Sequence, residues 1–283
     1  MGKVIVTCDS TCDLTPELYQ KYDIHVAPLY IRVGDGEYRD GVTIDTETLF
    51  QKVQETGELP KTAAVSVDDY VNLWKPFVEQ GCEVVHINIS SHFSACYQNA
   101  CAAAEELGHV YPVDSLNLSS GSGHLAIEAA LLAQEGRSGA EIQAILDEKK
   151  QRLNVSFVLD TMEYLAKGGR CSSVVAFAAG LLKLRLCIEV EVKDGKMDVH
   201  RKYRGKMNAV LCEYVRERLK EVSDVELDRI FITASSASDE TVEAVRKTIL
   251  ECYPFKEILF TTAGCTVASH CGPGCLGILF FTK

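Results

Sequence analysis

Hydroxyl-bearing residues gather where apolar, strand-like runs give way to helix-like ones. Asp9-Ser10-Thr11 follows Val4–Thr7, and Thr62 and Ser66 stand in a loop before a helix. Ser90, Ser91 and Ser94 follow Val84–Ile89, and Ser115, Asn117, Ser119 and Ser120 follow His109–Val113. Hydroxyls and amides donate hydrogen bonds without bringing a full positive charge. Together with the free N–H groups and positive dipole end of a helix N-terminus, they suit an oxyanion. Taken singly, each serine is also an ordinary helix cap. Near the C-terminus His270 stands directly before Cys271-Gly272-Pro273-Gly274, a sequence that holds the backbone tightly. There a ring N–H makes a fair ligand contact; the alternative is a histidine satisfied by backbone. Cys265, His270, Cys271 and Cys275 are metal-type ligands, but their spacing matches no common zinc pattern.

Other chemistries lack their signatures. No G-x-x-x-x-G-K-[ST] loop marks a nucleotide site, no H-E-x-x-H a zinc site, and no G-x-S-x-G a nucleophile elbow. Gly121-Ser122-Gly123-His124-Leu125-Ala126 fits G-x-G-x-x-A but lies seven residues beyond its strand, too far for the tight strand–turn–helix of a dinucleotide site. Ser94, His270 and Asp9 supply the residue types of a nucleophile, base and orienting acid, which keeps a hydrolase open as a minor reading. The net charge of −11 opposes nucleic acid binding. One stretch departs from it: Lys183, Arg185, Lys193, Lys196, Arg201, Lys202, Arg204 and Lys206 stand against Glu189, Glu191, Asp194 and Asp198, with Lys167 and Arg170 just upstream. This is either a solvated hairpin face or a docking patch for an acidic or phosphate-bearing partner.

The elements that would position these groups alternate between strand and helix. Val4–Thr7 reads as a strand, and Thr15-Pro16 opens a helix with a hydroxyl cap and a proline at its first position. Val26–Val33 reads as one strand turned back by Gly34-Asp35-Gly36, and Thr46–Glu55 as a helix. Ser66-Val67-Asp68-Asp69 resembles a capping box for a helix reaching Val78. Val84–Ile89 is unbroken and apolar, as in a strand covered on both faces. Helices over Ser94–Leu107, 121–134 and 139–152 follow, with the strand His109–Val113 among them. The second half reads as a strand at Val155–Leu159, helices at Met162–Lys167 and Ser173–Leu182, and a hairpin of Leu186–Val192 and Met197–Tyr203 around Asp194-Gly195. A helix (206–220), a strand (229–234), a helix (239–251) and two strands (257–262, 276–282) complete it. The expected fold is α/β with two domains. Residues 1–157 form a doubly wound, mostly parallel sheet whose loops bind the oxyanion; residues 158–283 form a mixed sheet with a β-hairpin. The chain opens without a signal peptide and its longest apolar run, Val174–Leu182, is about half a membrane span, so a soluble cytoplasmic protein is expected. Twelve cysteines without a C-x-x-C pair read as reduced core thiols.

Five segments in order resemble the DegV family, the fatty-acid-binding subunits of bacterial fatty acid kinase. Asp9-Ser10-Thr11-Cys12-Asp13-Leu14 is similar to D-S-x-x-D-L, and Lys61-Thr62-Ala63-Ala64-Val65-Ser66 falls at T-S-Q-P-S. Ser90-Ser91-His92-Phe93-Ser94-Ala95-Cys96-Tyr97-Gln98 resembles S-S-x-L-S-G-T-Y-Q. Tyr164-Leu165-Ala166-Lys167-Gly168-Gly169-Arg170 resembles Y-L-x-K-G-G-R, and His270-Cys271-Gly272-Pro273-Gly274 resembles H-x-G-P-G. The resemblance implies two α/β domains and a buried acyl tunnel. It implies a non-catalytic carrier of a long-chain fatty acid, without cofactor or metal, that presents the carboxylate to a separate ATP-dependent kinase and touches membrane only transiently to exchange lipid. Carried over by motif, the carboxylate contacts are Thr62, Ser94 and His270. Ser10, Ala63, Cys96, Ser115 and Gly272 are further pocket positions, and Arg170 and Arg204 face the kinase. The chain departs from the pattern at Ala64-Val65, in place of Gln-Pro, and at Ala95-Cys96, in place of Gly-Thr, both beside the headgroup positions. A sensor of another apolar acid, acting without a kinase, is the alternative.

Overall fold

The computed structural model describes residues 2–177 and 184–283. Strand β1 (Val4–Asp9) leads through one 3₁₀ turn to α1 (Pro16–Tyr22) and β2 (Ile24–Ala27). A hairpin of β3 (Tyr30–Val33) and β4 (Gly36–Arg39) precedes α2 (Thr46–Thr56) and β5 (Lys61–Ala63). Then come α3 (Val67–Glu79), β6 (Glu83–Asn88), α4 (Cys96–Leu107), β7 (Val110–Asp114), α5 (Ser119–Gln134) and α6 (Gly139–Lys149). The rest comprises β8 (Leu153–Leu159), α7 (Glu163–Gly168), α8 (Ser172–Phe177), β9 (Arg185–Glu191) and β10 (Lys196–Tyr203). It closes with α9 (Met207–Glu221), β11 (Val225–Ala234), α10 (Asp239–Cys252), β12 (Glu257–Thr262), α11 (Cys265–Cys271) and β13 (Leu276–Thr282).

These strands make three sheets. The first is four-stranded and wholly parallel in the order β2-β1-β6-β7. The chain diverges to either side of the β1–β6 pair, which opens a crevice at the carboxyl ends of those strands. The second is six-stranded and mixed, β10-β9-β8-β13-β11-β12, and includes the expected hairpin. The third is a small antiparallel sheet, β4-β3-β5.

Helix α5 lies between the two large sheets. Nearly every residue from Ser119 to Ala130 is buried, as expected of a helix covered all round. A Cβ at Gly121 would come 3.0 Å from Val155, and one at Gly123 would come 2.6 Å from the Cys12 carbonyl. The glycines of the G-x-G-x-x-A segment therefore let the helix backbone approach β8 and the turn after β1, and the segment forms no phosphate-binding turn after a strand. One continuous apolar core joins Val85 of β6, Leu125 of α5, Phe231 of β11 and Leu279 of β13. A second cluster, with Val210, Tyr214, Ile230 and Phe280, seats α9 and α10 on the six-stranded sheet. The chain passes from the first large sheet to the second between Asp114 and Leu153, and residue 157 lies inside β8.

Four local expectations are corrected. The single strand over Val26–Val33 is two, because Pro28 lacks the N–H a ladder needs; β2 joins the parallel sheet and β3 the small one. Thr62, expected in a loop, lies in β5 opposite Ile31. The helix expected from Ser94 starts at Cys96. Residues 265–271, expected in no regular element between the last two strands, are the helix α11. The helix expected over Ser173–Leu182 is present at 172–177; residues 178–183, including Lys183 of the basic stretch, lie outside the described residues.

Candidate ligand site

Helix α11 is short, and Gly264 at its N-cap offers no side chain to satisfy its first N–H groups. Two carboxylates from the other half of the chain do so. Asp40 accepts from the backbone N–H groups of Cys265 (2.8 Å) and Thr266 (3.1 Å), and Asp13 accepts from Gly264 (2.9 Å). Ser10 donates to Asp40 (2.9 Å) and Ser119 to Asp13 (2.6 Å). Burial holds the Asp13 carboxyl well above the usual carboxylate range, partly opposed by its bonds from Ser119 and Gly264. Ile31, Val33, Ile44 and Leu49 pack under α11 against Cys265 and Ala268. The small sheet thereby fixes β5 beside the helix.

This brings Thr62 and His270 together, with Thr62 Oγ1 2.9 Å from His270 Nε2. Burial, and secondly the nearby Arg170 charge, lowers the His270 pKa to about 4, so the ring is neutral at physiological pH. A neutral imidazole carries one N–H. The Nδ1 atom is buried without a hydrogen-bond partner among the described residues and packs on Gly168, where an added Cβ would come within 2.4 Å. A proton there would be a buried, unanswered donor. The proton therefore belongs on Nε2 and is donated to Thr62, which leaves the Thr62 O–H free to donate to a third group.

Beside this pair a narrow apolar cavity runs between the two large sheets. Ile89, Phe93, Leu118, Val155, Leu165 and Leu279 form much of its wall, and His270 lines it. A second, polar hollow adjoins it and is lined by Ser91, Ser94, Gln98 and Gly169. Phe93 and Arg170 line both. The exposed Arg170 donates to the Gly168 carbonyl (2.6 Å). Ser94 accepts from the Cys96 N–H (3.3 Å) and directs its hydroxyl to the Cys96 sulfur (3.1 Å). Burial pushes the Cys96 thiol up to about 12, so it is inert as a nucleophile.

The other candidate residues sit elsewhere. Ala63 is exposed on β5 next to Thr62. Ser10 braces the α11 cap and accepts from the Leu29 N–H (3.1 Å). Ser115 is buried and bonded to the Asn117 carbonyl (3.1 Å) and to Ser122 (2.9 Å). Gly272 ends α11, its carbonyl taken by Ser235 (2.6 Å). Asp9 has both oxygens occupied by Tyr70 (2.6 Å), His86 (3.1 Å), Asn88 (3.2 Å) and the Ile89 N–H (2.9 Å). It orients His86, and the Ser94–His270–Asp9 constellation of a hydrolase is not assembled. Cys265 donates to the Ile44 carbonyl, while Cys271 and Cys275 line the cavity. Among the described residues no group of His, Cys, Asp and Glu has the makings of a metal site. Sequence reading missed Ser156, Thr233, Ser235 and Thr266 on the cavity wall, whereas Ser119 was among the clustered hydroxyls.

The basic stretch is neutralised in part. Arg201 pairs with Glu217 and Glu221 (both 2.6 Å), Lys196 with Asp194 (2.5 Å) and Arg185 with Asp160 (3.0 Å). The exposed Lys193, Arg204 and Lys206 make no ion pair among the described residues.

Comparison with known proteins accords with this geometry. The DegV family model, described as a family of uncharacterised proteins, matches residues 3–283. The chain belongs to the DegV family. A DegV relative named as a fatty acid-binding protein, from Thermotoga maritima, is 30% identical over 97% of this chain and 96% of its own. A Thermus thermophilus DegV structure described by its fatty acid binding superposes with a TM-score of 0.88 at 29% identity, covering 99% of this chain and 100% of the other. A stearic acid-binding protein from Eubacterium ventriosum gives a TM-score of 0.84 at 26% identity, covering 100% and 99%. The DegV fold thus accounts for both large sheets.

Proposed function

We propose that this chain binds a long-chain fatty acid, its acyl chain in the apolar cavity and its carboxylate at Thr62, Ser94 and His270. The observation that carries the reading is the junction at Phe93 and Arg170, where an apolar cavity meets a polar hollow beside the Thr62–His270 pair. A carboxylate taken out of water needs donors or a proton. Thr62 O–H, Ser94 O–H and the start of α4 supply donors, and Arg170 adds a nearby positive charge. Burying about 14 methylenes at about 0.8 kcal/mol each gives on the order of 11 kcal/mol before the cost of association, enough for ligand to survive purification. The fatty-acid binding of the relatives named above supports the same assignment. Mass spectrometry of the denatured, as-purified protein should find roughly one saturated or unsaturated acid of C14 to C18 length per chain, the size set by that hydrophobic term. No stoichiometric lipid, even after addition of palmitate or oleate, would overturn the reading.

The carrier serves a separate ATP-dependent kinase and is itself non-catalytic. In that step a carboxylate oxygen held at the mouth attacks the γ-phosphorus of ATP, ADP leaves, and an acyl-phosphate forms. The 1–157 half supplies Thr62 and Ser94, while the 158–283 half supplies His270 and a kinase-facing surface around Arg170 and Arg204. Incubation with labelled ATP, Mg²⁺ and fatty acid should give no acyl-phosphate until a kinase is added; turnover by the lone chain would refute the carrier role. No described helix is long and apolar enough to cross a membrane. Buried free thiols such as Cys8, Cys12 and Cys187 suit a reducing cytoplasm. Contact with membrane is then transient, for lipid exchange.

A further inference from the structure

Five hydroxyl groups line the cavity: Ser119, Ser156, Thr233, Ser235 and Thr266. Four are answered within the protein. Ser119 donates to Asp13 (2.6 Å), and Ser156 lies 2.9 Å from the Tyr214 hydroxyl. Thr233 lies 2.8 Å from the Thr261 hydroxyl, and Ser235 donates to the Gly272 carbonyl (2.6 Å). Thr266 is 4% exposed, and its Oγ1 has no hydrogen-bond partner among the described residues.

The reason is local. A hydroxyl inside a helix usually turns to the carbonyl four residues back, as Ser269 does to Cys265 (2.7 Å). Four residues before Thr266 stands Thr262, the last residue of β12 and outside α11, and no such bond forms. A valine would occupy the same space without the cost of burying an unanswered hydroxyl. Thr266 also lies on the His270 face of α11, four residues and about 6 Å along the axis from it. Ala263, Thr266, Val267 and His270 all line the cavity. An acyl chain that begins at His270 and follows this wall passes Thr266 within its first several carbons.

We infer that the preferred ligand is a fatty acid bearing a hydroxyl substituent in the carboxyl-proximal part of its chain, hydrogen-bonded to Thr266 Oγ1. The inference rests on the fatty-acid reading above and narrows it to oxygenated acyl chains. Thr266 is the specificity-determining residue; the carboxylate contacts are unchanged.

The test is a competition series on delipidated full-length protein, using palmitic acid and hexadecanoic acids hydroxylated at successive carbons. In the wild type one carboxyl-proximal position should bind about three- to tenfold tighter than palmitate, the worth of one net hydrogen bond. Thr266→Val should abolish that preference while binding palmitate at least as tightly as wild type, and Thr266→Ser should restore it. A wild type that ranks every hydroxylated acid at or below palmitate overturns the inference, as does a preference that survives in Thr266→Val. If neither palmitate nor any hydroxylated acid binds the wild type, the fatty-acid reading itself fails, and the inference with it.

Discussion

At the scale of the residue, the Thr62–His270 contact orders the site. His270 donates to Thr62, so Thr62 presents its own hydroxyl, and Ser94 offers a second from just before α4. Charge-assisted hydrogen bonds contribute roughly 1.5–3 kcal/mol each, so Ser94→Ala and Thr62→Ala should each weaken fatty-acid affinity about ten- to a hundredfold. Calorimetry on delipidated protein checks this; two variants with wild-type affinity would move the carboxyl elsewhere. The state of His270 gives an independent prediction. Its pKa falls from an ordinary 6.5 to about 4 in the folded chain, by burial first and Arg170 second. Between those values the unfolded chain binds the extra proton, so the contribution is complete above about pH 6.5 and is lost as pH falls through 4. Its size is on the order of 3 kcal/mol. Urea unfolding of lipid-free wild type and His270→Gln should show the wild type losing stability relative to the variant across that window; parallel pH curves would contradict the assignment. Thr62, Ser94 and His270 were legible as residue types in the sequence, and the pairing of two of them was not. Nothing local links positions 208 residues apart.

At the scale of the element, what could be read from sequence was what the local chain decides. The capping boxes at Ser66 and Ser138 are formed as their spacing foretells. Strand β6 is buried from Val84 to Asn88, as a strand covered on both faces should be. What stayed hidden was decided from afar. Strands β3 and β5 are short and gain their order from each other and from α11. That helix has no capping side chain of its own, and Cys-Thr-Val-Ala-Ser-His-Cys holds few strong helix formers. Its cap is Asp40, which stands 225 residues before Cys265. Asp40→Ala should therefore act at a distance. Two buried N–H groups lose their acceptor, and Ser10 loses its partner. The expected cost is about 2–4 kcal/mol, the sum of two such losses. Because α11 carries His270, affinity for fatty acid should fall with it, although Asp40 lies outside the cavity wall. Denaturant midpoint and calorimetry together read both effects; a loss of stability with unchanged affinity would show that α11 is positioned by its apolar underside alone.

At the scale of the whole molecule, the chain carries a net charge of −11, and many of its cations, such as Arg39, Lys149, Arg201 and Arg229, sit in ion pairs. Within the basic stretch that stood out in the sequence, Arg201 is countered by Glu217 and Glu221 of α9, which sequence reading could not foresee because they lie on another element. Arg218, only 3% exposed, is held by Glu189 and Glu221 in the same network. Among the cations that face solvent, Arg204 makes no ion pair among the described residues and Arg170 stands at the cavity mouth. On so acidic a surface an isolated exposed cation has a large effect on which partner approaches, and little on folding. Arg204 is absent from the cavity wall, whereas Arg170 lines it. The two therefore make different predictions. Reversing Arg204 to Glu should slow kinase-coupled acyl-phosphate formation, more strongly at low salt where charge is less screened, and leave bound lipid unchanged. Reversing Arg170 to Glu should do both, slowing turnover and weakening lipid affinity, because a carboxylate would then face the ligand's own. Turnover at two salt concentrations, with lipid content measured on the same preparations, separates them. An Arg204 variant that lost its lipid would place that residue in the pocket, and one with unchanged turnover would remove it from the partner surface.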